Sequence, residues 1–252
     1  MKDIEIGIIG GTGGIGRWFA AFFRAEGYTV HVAGRTTETT VTQLADRCRV
    51  VIVAVPIAAT VEVIRRVGPL LGAGALLMDL TSFKTEPVRA MLDATVADVL
   101  GCHPLFGPDV QGLKDQNVVL CPGRGERGRT WFRELLRKNG AGVVETTPER
   151  HDRMMALVQG LNHLNTMALG LTLREAGVSP EELAPFSTPI FRTKTTILEK
   201  VFGSNPRLYA ELVASNPDVA GLLDLYERNV ARLKALVAGK DVDGLTDLIG
   251  AG

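Results

Sequence analysis

The chain has 252 residues, enough for one large domain or two smaller ones sharing an interface. Lysine plus arginine and aspartate plus glutamate both number 28, so no net field draws it to nucleic acid or to an anionic membrane, and small molecules and a second copy of itself are the expected partners. Three scattered cysteines, Cys48, Cys102 and Cys121, show no CxxC spacing, fit a reducing compartment better than a disulfide framework, and suggest no metal site.

The opening "MKDIEIGIIGG" places its charges before a short strand rather than before the long apolar core of a signal peptide. No apolar stretch approaches the roughly 18 to 20 residues of a membrane span, so the cytoplasm is the expected location. A strand over Ile4 to Ile9 is cut off by glycines, a helix follows from Arg17 to Glu26, and "YTVHVA" makes a second strand. Strand, glycine turn, helix, strand is the βαβ unit of a parallel sheet. "VVIVAVP" (50–56) and "ALLMDL" (75–80) are apolar at consecutive positions, as central strands covered on both faces require, with a helical spacing over 58–71 between them. Further strands are predicted in "DVLGCH" and "NVVLCP", a helix over 129–139, and a last strand near "GVVETT". The expected fold class is therefore α/β: a Rossmann-type doubly wound parallel sheet over residues 1–148, then an all-helical domain over 149–252 for substrate binding and dimerisation.

The first βα junction carries Gly11, Thr12, Gly13, Gly14, Ile15 and Gly16, a GxGxxG set between strand and helix. Glycines there allow the tight turn and let backbone N–H groups approach a pyrophosphate at the positive helix end. Val55 and Pro56, closing the central strand, are assigned to the cofactor as well. At the end of the second strand no acid stands ready for a ribose 2′-hydroxyl, whereas Arg35, Thr36 and Thr37 suit a 2′-phosphate, so NADP is expected over NAD.

In the helical part, Leu157, Leu161, Leu164, Ala168 and Leu171 form an apolar stripe expected to be buried. Gln159, Asn162, His163 and Thr166 form a polar stripe without lysine or glutamate, either a solvated face or an enclosed cleft. Over 187–202 a helix is predicted with Ser187 or Thr188 as cap and Pro189 in its first turn, and Arg192, Thr196 and Lys200 recur every four residues on one face. The terminal "LIGAG" is expected to fray.

"GCHPLFGPD" (101–109) stiffens the chain with prolines around His103 at the carboxyl end of a predicted strand, the edge where ligands bind in open α/β sheets. Together with "DLTSFK" (79–84), "LVQGLNHLNTMALGL" (157–171) and "STPIFRTKTTILEKVF" (187–202), it resembles the prephenate dehydrogenases, in particular the dehydrogenase part of bacterial chorismate mutase/prephenate dehydrogenases. No chorismate mutase part is expected before Ile4, and no C-terminal regulatory domain.

The resemblance implies oxidative decarboxylation of prephenate to 4-hydroxyphenylpyruvate in tyrosine biosynthesis. His103 matches the family histidine that bonds the ring hydroxyl and must be neutral to accept its proton. Ser82 matches a family serine beside it, and Lys84 and His163 are carried over as pocket residues. Arg192 matches a family arginine, while Lys200 stands where the bifunctional enzymes carry a substrate-binding arginine; lysine lacks the bidentate fork, which bears on the substrate accepted. Arogenate and 4-amino-4-deoxyprephenate suit the same scaffold. "IGGTG" with "AGR" also looks like deazaflavin-dependent NADP reductases, which would not explain "HPLFGPD", and a non-catalytic NADP sensor would not need His103 and Ser82. A homodimer through the helical domain is expected.

Overall fold

A computed structural model describes residues 4–203 and 205–250. Two compact units divide the chain, Met1–Asp152 and Arg153–Gly252.

In the first unit, seven strands form one sheet: β1 (Glu5–Ile9), β2 (Thr29–Ala33), β3 (Val50–Val53), β4 (Leu76–Asp79), β5 (Asp98–Pro104), β6 (Asn117–Arg124) and β7 (Gly142–Glu145), in the order β2-β1-β3-β4-β5-β6-β7. The helices are α1 (Gly14–Ala25), α2 (Val41–Arg47), α3 (Ile57–Val67), α4 (Thr85–Ala94) and α5 (Arg127–Lys138). Every residue of β3 and β4 is buried, as their unbroken apolar runs demand. One face of the sheet packs Ile6, Ile8, Ile52 and Met78 against Phe19, Phe23 and Phe132, and the other packs Val51, Val53 and Leu77 against Leu44, Ile64 and Met91.

Two features of this unit depart from the sequence reading. The sheet is not wholly parallel: β6 runs antiparallel to β5, and β7 pairs parallel with β6. Residues 105–116 between them hold two glycines and a proline and form no helix, so the chain has no crossover with which to return parallel. Helices α2 and α4 were not foreseen. The first opens on a capping box, Gln43 N–H donating to Thr40 Oγ1 while Gln43 Oε1 accepts from Thr40 N–H. The second has Pro87 in its first turn, where its missing N–H costs nothing.

After β7 come only helices among the described residues: α6 (Pro148–Met155), a π-helical turn over Ala156–Leu161, α7 (Asn162–Glu175), α8 (Pro180–Leu183), α9 (Pro189–Gly203), α10 (Pro206–Ala214), α11 (Val219–Ala238) and α12 (Val242–Gly250). Thr188 caps α9, its Oγ1 accepting from Phe191 N–H at 3.2 Å. Gly170 lets α7 meet α9 closely, since a Cβ there would lie 2.4 Å from Phe202. The apolar stripe expected to be buried is not: Leu157, Ala168 and Leu171 are exposed and Leu161 and Leu164 half-buried, because the described helices of this unit do not cover that face. Of the terminal "LIGAG", Leu248 to Gly250 end α12, and Ala251 and Gly252 lie outside the described residues. No described helix is long and apolar enough to cross a membrane.

Candidate active site

Sheet order reverses direction between β1 and β3, and the glycine loop leaves β1 at that crevice. Gly10 takes φ +84°, and its N–H donates to Ala33 O on β2. A Cβ on Gly16 would lie 2.4 Å from Gly10 O, so only glycine lets α1 start this close to the strand. Gly13 is the cap of α1 and supplies no side chain, and the first turn holds no acid. The first N–H groups of α1 are thus left for an anion, which is what a dinucleotide pyrophosphate requires. Val55 packs at Gly10, its Cγ1 2.9 Å from where a Cβ on that glycine would be, and Pro56 caps α3 on the same sheet edge.

The loop beyond β2 only partly matches its reading. Arg35 and Thr36 are exposed, but the Thr37 hydroxyl is committed to the turn, accepting from Gly34 N–H at 2.8 Å. The loop also contains an acid, Glu38, exposed one residue further on.

The rigidity around His103 has a tertiary cause. Phe106 and Pro108 are anchors on α1: the rings of Phe106 and Trp18 lie 5.0 Å apart, a Cβ on Gly14 would lie 3.1 Å from Pro108, and Trp18 Nε1 donates to Val110 O at 2.7 Å. The strand bearing His103 and the helix bearing the glycine loop are therefore locked in one frame.

His103, 3% exposed, pairs its Nδ1 with His151 Nε2 at 2.9 Å, and His151 Nδ1 pairs with Asp152 Oδ1 at 2.7 Å. Asp152 also accepts from the first amides of α4, Lys84 N–H on Oδ1 and Thr85 N–H on Oδ2, both at 2.9 Å. A carboxylate only accepts, so His151 Nδ1 carries the proton; His151 Nε2 then accepts from His103 Nδ1–H, and His103 Nε2 is left as a lone pair. Burial, then the neighbouring His151 and Lys84, hold the His103 pKa well below the ordinary histidine value, so the imidazole is neutral. Burial opposes ionisation of Asp152 too, yet hydrogen bonds from His151, Thr85 and Lys84 hold its carboxyl below the ordinary value. The arrangement is a proton acceptor with a fixed tautomer and a buried counter-charge two groups away.

His151 and Asp152 were missed by sequence reasoning. Their adjacency in "ERHDR" and the scarcity of histidine, four in the chain, were the available signals. Lys84, expected to line the substrate pocket, is instead wholly buried: its ammonium contacts Asp79 and donates to Cys102 O at 2.8 Å. Ser82 is half-buried in the turn after β4, the strand beside β5, and its hydroxyl makes no hydrogen bond among the described residues.

In the second unit, Arg192 is exposed and its guanidinium holds Ser187 O through Nε at 3.3 Å and Nη2 at 3.2 Å. Lys200 is exposed two turns along α9, with Thr196 between them donating to Arg192 O. His163 on α7 packs edge-on against Tyr209 at 4.9 Å, and burial lowers its pKa. Of the polar stripe, Gln159 Oε1 and His163 Nδ1 are buried without a partner among the described residues, while Asn162 is exposed.

Fold and site together define a class: a Rossmann-type nucleotide-binding domain, carrying a buried His–His–Asp hydrogen-bond chain, followed by an all-helical domain. Comparison with known proteins narrows it. Residues 19–145 match the nucleotide-binding domain of prephenate dehydrogenase and residues 147–251 its dimerization domain. A probable arogenate/prephenate dehydrogenase of Methanocaldococcus jannaschii is 35% identical over 98% of this chain and 60% of its own length. The T-protein of Haemophilus influenzae is 32% identical over 96% of this chain and 64% of its own length. The chain thus spans less than two thirds of these relatives. A crystal structure of prephenate dehydrogenase from A. aeolicus in complex with hydroxyphenyl propionate and NAD+ has the same fold, with a TM-score of 0.79 at 20% identity over 98% of this chain and 95% of that one. The chain belongs to the prephenate dehydrogenase family.

Proposed function

We propose that this chain is an NADP-preferring cyclohexadienyl dehydrogenase that converts prephenate to 4-hydroxyphenylpyruvate and carbon dioxide. The observation that carries the reading is the His103–His151–Asp152 relay, which leaves a neutral, proton-accepting Nε2 at the carboxyl edge of the sheet. A dinucleotide held by the glycine loop at the start of α1 and by Val55 and Pro56 would supply the hydride acceptor for C4 of the substrate ring. His103 Nε2 takes the proton of the 4-hydroxyl; the charge that develops on its ring is shared through His151 and offset by Asp152. As the ring carboxylate departs as carbon dioxide, its electron pair makes the ring aromatic and moves onto the ring oxygen, which takes the proton back from His103 to give the phenol and restore the neutral imidazole. Ser82, with an uncommitted hydroxyl on the neighbouring strand end, orients the substrate hydroxyl. For the dianionic substrate, Arg192 and Lys200 supply positive charge and His163 a polar ring nitrogen.

Arg35 and Thr36, exposed where a ribose would be read, support the choice of NADP; Glu38 in the same loop is the acid that would favour NAD if it turned toward the ribose. The uncovered apolar faces of the helical unit, together with the match to a dimerization domain, support a homodimer. Three unbridged buried cysteines support a cytoplasmic location.

The test is turnover of prephenate, arogenate and 4-amino-4-deoxyprephenate with NADP and with NAD, followed by absorbance of the reduced cofactor. Activity on prephenate should fall by about 10²–10⁴-fold in His103→Asn, the usual contribution of acid–base catalysis. Turnover near wild type in that variant removes His103 from the chemistry.

A further inference from the structure

Beneath the relay lies a second polar cluster that the proposed chemistry does not use. Lys84 and Asp79 are both wholly buried, in contact with each other, and Asp79 Oδ2 also accepts Thr81 N–H at 3.0 Å. A buried ion pair is weak evidence for stability, because well-packed apolar residues of similar volume usually serve the core as well or better. Its placement points elsewhere. The Lys84 ammonium donates to Cys102 O, the carbonyl of the peptide that joins Cys102 to His103, while the Lys84 backbone N–H donates to Asp152 Oδ1. One residue therefore touches the relay at both of its ends. The path of its side chain is also built in: a Cβ at Gly101 would lie 3.1 Å from Lys84 Cδ and 2.6 Å from Val88, so glycine at the start of "GCHPLFGPD" leaves room for lysine to pass under β5.

We propose that Lys84 is a positioning residue that sets the orientation and tautomer of His103, holding the His103 peptide with its ammonium and Asp152 with its backbone. The proposal rests on the reading of His103 as the proton acceptor. The titratable groups facing His103 are His151, Lys84 and Asp152, with Asp79 behind Lys84. The nearby thiols of Cys102 and Cys121 are pushed up by burial and stay protonated.

The decisive variant is Asp79→Asn/Lys84→Met, which removes both buried charges together and so avoids leaving one unpaired. Two measurements are made on the full chain: steady-state kinetics, and long-range proton–nitrogen NMR of the imidazole rings, with His103→Asn assigning the His103 signals among the four histidines. In the wild type, His103 should show a single neutral tautomer protonated at Nδ1. In the double variant, with cooperative thermal unfolding retained, that tautomer should average with the other. The kcat should fall about 10- to 100-fold, the scale of a small misplacement of a reacting group, with substrate KM changed less than about threefold. Wild-type kcat with an unchanged His103 spectrum overturns the proposal, as does a rise in KM with kcat preserved. Gly101→Ala, which crowds Lys84 Cδ with both charges kept, is the second variant should the first not fold. It should shift the same His103 signals, and a spectrum identical to wild type with Lys84 displaced overturns the proposal equally. If the wild type oxidises none of the three cyclohexadienyl compounds, the proposed function fails, while the NMR measurement, which needs no turnover, still decides the role of Lys84.

Discussion

The two units treat apolar and polar groups in opposite ways. Among the described residues of the first, only Leu70, Val96 and Val144 are large apolar side chains left exposed, whereas the second exposes such residues on nearly every helix, with Phe186 86% and Ile190 74% accessible. A sheet covered on both faces by its own helices is complete as a core, and inside it the polar groups of the relay are held by fixed partners because burial penalises any that are not. Helices packed only on one another leave surface over. The contrast separates two environments: polar groups held in place where the unit closes its own interior, and apolar surface left over where it does not.

The hardest blow to the closed region is Asp152→Asn. An amide cannot accept from both α4 amides and from His151 at once: with its NH₂ toward His151 the tautomers reverse and His103 Nε2 is blocked, and in the other orientation an amide of α4 loses its acceptor. We expect kcat to drop by about 10²-fold or more, with KM for NADP little changed. An activity loss below about threefold would mean that the relay is ornament. The open region is attacked by Phe186→Asp/Ile190→Asp, two exposed residues on either side of the start of α9. If the proposed dimer buries them, sedimentation should show its dissociation constant raised about 10- to 100-fold, the equivalent of one or two buried apolar side chains. An unchanged dimer would move the interface to another face, such as that of Val237 and Ile249.

Smaller effects sharpen the same contrast. Arg35→Ala should raise KM for NADP about tenfold and leave KM for NAD unchanged, since a charge-assisted hydrogen bond contributes about 1.5–3 kcal/mol at most. The pH dependence of stability carries the burial of His103. Its folded pKa is well below the ordinary value near 6.5, so the fold favours the neutral form. That contribution is complete above about pH 6.5 and is lost as pH falls towards the folded pKa, by up to about 1.4 kcal/mol per pH unit. Denaturant melts should show this slope, and His103→Asn should flatten it. His163 in the second unit shifts in the same direction, so His163→Asn should flatten it less, being only half-buried.

Much of this was readable from residue order. The glycine loop stood out because its glycines serve a local turn, and His103 because two prolines, Pro104 and Pro108, follow it closely. The partners of His103 were not, since His151 is 48 residues away and meets it only through the packing of α6. Lys84 was carried over from the family resemblance as a pocket residue; the ion pair that makes its burial tolerable links residues on two sides of a turn and a carbonyl on the next strand, which residue order does not show. Helix α4 was hidden by Pro87 and by a start whose capping carboxylate comes from Asp152 rather than from the preceding residue.

Taken by itself, the order of residues determined the alternation of strands and helices, the nucleotide loop and the switch to an all-helical unit, because hydrophobic period, glycine freedom and proline restriction act over a few neighbours. The tertiary structure alone decided the antiparallel turn of β6, the tautomer of His103, the fate of Lys84 and which apolar stripes remain uncovered. Each of these depends on which groups lie within about 3 Å of one another in a closed interior, where an unpaired polar atom is costly, and that is a property of the assembled sheet rather than of any stretch of chain.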